Sequence, residues 1–190
     1  MNSKKIEIEI PVGKNAEWVN GVLTLVDEKD NRHVTERVKT FEDACEVLGN
    51  NHPFIQAYNC WENDGVNNQA DIDAYLKLRI ICAALNEGWE PKFTEGEWRY
   101  YPWFLLYTQK EIDEMGEEEK SRVVYRSGDL ANAVGGVACA FANHGSSCAG
   151  TSIGSRLAFK SEELAKYAGE QFIEIWADYV FKLEKNKENK

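Results

Sequence analysis

From Lys5 to Val12 the chain alternates, with Ile6, Ile8 and Ile10 on one side and Glu7 and Glu9 on the other, which is the period of a half-buried strand. Pro11 and Gly13 end it, and Gly21 to Asp27 reads as a second strand. Asn15 and Asn20-Gly21 suit turn conformations between the two, so an N-terminal hairpin or meander is expected. Thr40-Phe-Glu-Asp43 opens a short helix over 41–48: Thr40 caps its first turn, the acids favour its positive end, and Gly49 stops it. Asn50 to Ala70 is polar and broken by Pro53 and Gly65, and reads as a loop laid onto the domain by Phe54, Tyr58 and Trp61.

From Asp71 the period turns helical. Ile72, Tyr75, Leu76, Arg79, Ile80 and Ala83 recur at three- and four-residue spacing and predict a helix over 71–86, ended by Asn86-Glu87-Gly88. The aromatic run from Trp98 to Tyr107 predicts a strand or platform against that helix. Thr108-Gln-Lys-Glu111 is a capping-box pattern opening an acidic helix over 109–119. Strand character returns at 122–126 and again at 155–159. Ser161 starts the strongest helical pattern, over 161–183, with Leu164, Tyr167, Ala168, Phe172, Ile175, Trp176 and Tyr179 in one apolar stripe. The pattern as a whole predicts an α+β domain over 1–183. Its mixed or mainly antiparallel sheet packs against the C-terminal helix and the 71–86 helix, and residues 184–190 form a charged tail that frays.

One stretch departs from the rest. Between Asp129 and Arg156 there is no Asp, Glu, Lys or Arg, and the run is built from Gly, Ala, Ser, Asn and Cys, interleaved with Val134, Val137, Phe141 and Ile153. Small side chains let backbone approach backbone or ligand closely, so 128–155 reads as tightly packed strand and loop presenting a binding or assembly surface. Its polar positions, Asn132, Asn143, His144, Ser146, Ser147 and Ser152, are the candidate contacts. Trp98, Tyr100 and Tyr101 offer a stacking platform beside them. Arg126 and Arg156, like Arg99, border Gly-rich or aromatic segments, where an arginine binds an anion or pairs with one of the chain's many acids.

Composition narrows the partners. The 190 residues carry a formal net charge of −10, which argues against a phosphate-binding groove and hence against nucleic acid. Five cysteines form no paired framework and suit a reducing compartment. No membrane-length apolar run and no apolar leader occur, so the expected location is the cytoplasm. No internal repeat of solenoid length is present.

The motifs that could carry chemistry are weak. Gly150-Thr-Ser152-Ile-Gly154 matches a nucleophile elbow, but all three histidines (His33, His52, His144) precede the serine and the following residues are strand-like, so it reads as a glycine-flanked turn. Cys139, His144 and Cys148 lack a fourth ligand at a familiar spacing, so neither a metal nor any other cofactor is expected. The same three residues offer a Cys–His pair, the basis of an alternative reading as a small hydrolase or transferase. The carboxylates Asp71, Asp73 and Glu117 to Glu119 read as helix-start and solvated-face charges.

The segments Thr40-Phe-Glu-Asp-Ala44, Tyr75-Leu-Lys-Leu-Arg79, Ala84-Leu-Asn-Glu-Gly-Trp89, Arg99-Tyr-Tyr-Pro-Trp-Phe104, Gly154-Ser-Arg-Leu-Ala-Phe-Lys160 and Leu164-Ala-Lys-Tyr-Ala-Gly-Glu-Gln-Phe-Ile173 carry a resemblance. Over most of its length the chain resembles an uncharacterised family associated with gut Bacteroidetes and their phages or prophages. That family has no assigned activity, so no catalytic residue carries over. The resemblance implies a small accessory protein of a phage or mobile element, acting in the host cytoplasm or in the virion, as a virion component or as a binder of a host or defence molecule. The expected function is non-enzymatic binding or self-assembly with a protein partner through 128–155; the alternatives are a small-ligand sequestering protein and the Cys/His enzyme.

Overall fold

Asn20 and Gly21 both take left-handed backbone, with φ of 51° and 81°, as a two-residue Asn-Gly hairpin turn requires. The turn joins β1 (Lys14–Val19) to β2 (Val22–Asp27) in antiparallel register, from Val19↔Val22 to Lys14↔Asp27. The computed structural model of the chain describes residues 7–28, 30–64, 69–92, 94, 96–127, 134–146 and 154–180, with 27, 125–127 and 134–146 described by their backbone. The expected strand over 5–12 is corrected here. Residues 7–12 lie outside any strand, and Ile8 and Ile10 are 51% and 47% exposed. A two-residue turn dictates that the residues directly before it do the pairing, and that overrides the Ile/Glu alternation upstream.

The described backbone divides into two compact units, Met1–His33 and Val34–Lys190. Within the first, no described side chain is buried. Ala16 and Trp18 stand opposite Leu25 and Leu23, which gives one face of the hairpin an apolar stripe.

The second unit begins with α1 (Val34–Arg37) and α2 (Phe41–Leu48). Thr40 caps α2 as expected, its hydroxyl accepting from the Asp43 N–H while the Asp43 carboxylate accepts from the Thr40 N–H. The expected loop over 50–70 is in large part a helix, α3 (Pro53–Asn63). Its start signals are local: Pro53 is pre-set for the first turn, and His52 caps it by accepting the Phe54 N–H on Nδ1 at 3.2 Å. Phe54, Tyr58 and Trp61 carry a helical spacing that the intervening Asn and Gln residues mask. α4 (Ala70–Asn86) follows as predicted. It ends at Glu87, a left-handed cap (φ 50°) whose carboxylate holds Arg37 at 2.5 Å and Lys160 at 3.1 Å.

β3 (Trp98–Thr108), β4 (Val124–Ser127) and β5 (Val134–Ser146) form an antiparallel sheet in the order β3-β5-β4. Between β3 and β4 the expected 109–119 helix is split into α5 (Gln109–Glu114) and α6 (Glu117–Lys120), because Met115 and Gly116 take extended backbone. Residues 155–159 are not the expected strand: Ser155–Leu157 is a 3-10 turn, and Phe159 makes a single bridge to Tyr100. The C-terminal pattern is likewise two helices, α7 (Glu162–Gln171) and α8 (Ile173–Val180), which meet at Phe172 (φ −112°, ψ 28°). Past that bend the Trp176 indole N–H reaches the Ala168 carbonyl at 3.2 Å.

The unit is therefore α+β. Its core joins Leu78, Ile81 and Leu85 of α4 to Leu157 and Phe159 of the turn segment and to Leu164, Phe172 and Trp176 of α7 and α8. Trp176, 1% exposed, also meets Phe104 of β3 with ring centroids 5.3 Å apart. Among the described residues no helix is long and apolar enough to cross a membrane.

Candidate functional site

The antiparallel register of β3 and β5 brings part of the predicted surface together. Trp98, Tyr100 and Tyr101 stand opposite Ser146, His144 and Asn143. The register therefore places the aromatic platform and three of the polar positions at one end of the sheet. Trp98 is half exposed at 52%, Tyr100 is half-buried, and Tyr101 is buried at 8%.

The cations do not join them as a group. Arg126 lies in β4 opposite Gly135, eight residues along β5 from Asn143 and hence about 26 Å away. Arg156 sits exposed in the 3-10 turn. Asn132, Ser147, Cys148 and Ser152 lie outside the described residues.

Arg99 is the arginine the fold uses at this end of the sheet. It is 4% exposed, and its guanidinium donates to the Ser155 hydroxyl and, at 3.3 Å, to the Lys92 carbonyl, with Nε 3.4 Å from Glu97 Oε1. Glu97 in turn accepts the Lys92 N–H at 2.8 Å. The network fastens residue 155, where the small-residue stretch ends, to the start of β3. Of the two roles open to Arg99 in the sequence, pairing with an acid is the one its geometry fills.

Thiol chemistry finds little support in the geometry. Cys139 stands opposite Phe104 and His144 opposite Tyr100 on the same strand. Five residues of extended chain separate them by about 16 Å, whereas a thiol and its base must approach to about 3 Å. The Cys82 thiol is buried and pushed up to about 12. Burial, followed by the charges of Glu42 and Glu62, also raises Cys45. A thiolate is the nucleophile, so these shifts make both poor ones.

The end of β3 beyond Trp103 was missed as a candidate. Trp103, Leu105 and Leu106 are 41%, 41% and 61% exposed, and no charged residue occurs from Tyr100 to Thr108. Between Trp103 and Phe104 the register with β5 shifts by one residue, a bulge of the kind that re-aims side chains. The signal was in the sequence as a long uncharged run interrupted by Pro102, a residue that strands tolerate at an edge. No family model, no curated protein and no solved structure matches the chain.

Proposed function

We propose that the chain is a non-enzymatic accessory protein of a phage or other mobile element, acting by binding or assembly in the host cytoplasm or the virion. Its working surface is the sheet that β3 builds with β5, the described part of the small-residue stretch. One observation carries the reading. A chain of net charge −10 keeps an eleven-residue strand that is uncharged from Tyr100 onward and exposes Trp98, Trp103, Leu105 and Leu106. Exposed apolar side chains gathered on one uncharged strand point to an interaction site, and Trp is among the side chains that anchor such sites. The setting in gut Bacteroidetes and their phages rests on the sequence resemblance.

Native mass spectrometry of the protein purified from its natural host, before and after mild denaturation, tests this. The expected species is the bare chain in a defined oligomer, or a complex with a phage or host protein. A small molecule that co-purifies and leaves on denaturation would replace this reading with the small-ligand sequestering one.

A further inference from the structure

The outer edge of β3 can be followed residue by residue. Tyr100 donates its N–H to the Phe159 carbonyl at 3.1 Å and accepts the Phe159 N–H at 2.9 Å, on the side away from β5. Backbone groups alternate sides along a strand, so Pro102, Phe104, Leu106 and Thr108 also point away. Thr108 bears this out beyond the bulge, since its N–H goes to Glu111 Oε2 at 2.7 Å and not to β5. Pro102 therefore takes an outward position, where its missing N–H costs no ladder bond. Between the Phe159 bridge and the Glu111 cap lies an open window, the outward N–H and C=O groups of Phe104 and Leu106. Among the described residues no backbone partner outside the ladder takes them.

Strand edges are normally guarded by Lys, by a covering element or by a bulge in the edge itself. This one has no charge from Tyr100 to Thr108, and its register shift leaves the extra residue, Ala140, on β5.

We propose that the window pairs with the same window of a second copy of the chain, joining β3 to its mate antiparallel about Leu105 and merging two three-stranded sheets into one. This rests on the binding-or-assembly reading and names the partner. The window is symmetric about Leu105, so Phe104 of each copy meets Leu106 of the other and all the outward groups of both residues are satisfied. Shifting the register by one step in either direction brings in Pro102, which has no N–H, or Thr108, whose N–H is already taken. Charge selects the same contact. Two copies of net charge −10 repel over most of their surfaces, and here neither carries any. The arrangement is an isologous two-fold interface, the commonest way for identical chains to associate.

Light scattering after size exclusion tests the proposal. The wild type is expected at twice 21.6 kDa. Leu105→Lys and Leu105→Glu place like charges directly opposite across the axis, so each alone is expected as a monomer, and mixing the two restores the double mass. Leu106→Pro removes an outward N–H and no bond to β5, and is also expected as a monomer. Circular dichroism confirms that each variant is folded. Should the Leu105 variants fail to fold, concentration-dependent protection of the Phe104 and Leu106 amides in the wild type decides. A monomeric wild type overturns the proposal, as does a dimer that survives all three substitutions. In the second case assembly runs through another surface and the binding-or-assembly reading stands.

Discussion

Asn86 ties the end of α4 to the segment that leads into α7. Its side chain is buried, donates to the Ala158 carbonyl at 2.8 Å and accepts the Lys160 N–H at 3.0 Å. Asn86→Ala takes that partner from both backbone groups, the Ala158 carbonyl being buried, and urea unfolding is expected to show a loss of about 2 kcal/mol. Arg99 is the costlier residue, because its charge is out of water beside Glu97. Arg99→Met is expected to cost about 3 kcal/mol, and adding Glu97→Gln to recover part of that loss, so a double-mutant cycle should give a clear coupling energy. The acid pairing of Arg99 was open to the sequence, but the long-range contacts of both residues were not. Asn86 meets its partners across 72 and 74 residues, and Arg99 meets Ser155 across 56, so the contacts exist only once the fold has brought them together.

The elements divide by whether their signals are local. α2 and α5 carry capping boxes whose members lie three residues apart, and both starts are legible. Thr40→Ala is expected to cost about 1 kcal/mol by denaturation, since it leaves an N-terminal N–H of α2 uncapped. The same box predicts a pH response. The N–H groups of Lys39 and Thr40, both at 2.9 Å, hold the Asp43 carboxyl below its ordinary 3.8. A depressed folded value means the stabilisation is present above about 3.8 and is lost as pH falls through the folded value. Acid titration of stability should therefore be shallower below pH 4 in Asp43→Asn than in the wild type. Where elements depend on distant neighbours the sequence misleads. The Ile/Glu alternation of residues 7–12 finds no strand beside it, residues 155–159 curl into a 3-10 turn after Gly154 (φ 83°), and α7 bends away at Phe172. α3 was legible in principle, through Pro53 and the Phe54, Tyr58, Trp61 spacing, but its polar outer face resembles a loop in composition.

Across the whole molecule stability is concentrated in the Val34–Lys190 unit. An isolated two-stranded hairpin is marginal in water, and no described side chain of residues 7–33 is buried. Hydrogen exchange read by mass spectrometry is expected to show the amides of β1 and β2 exchanging early and those of Leu78 to Leu85 last, at the rate of global unfolding. If the two sets exchanged together, the hairpin would have to share the cooperative unit of the core. The α+β class and most element types were visible in the periodicity. That β3 lies at the edge of its sheet was not, because edge status depends on strand order and periodicity reports only faces.

The placement of the core also bears on how a cell makes this protein. The ribosome releases α4 with Leu78, Ile81 and Leu85 on one face, yet Phe159, Leu164 and Trp176, which cover them, follow more than seventy residues later. Through that interval the nascent chain holds an apolar helix covered only in part, by α2 and α3, together with the uncharged strand β3, a combination prone to mispair with neighbouring chains. A premature stop between β5 and α7 would leave the mispairing edge without the helices that close the core, and such a product belongs to the chaperones and proteases rather than to the folded pool.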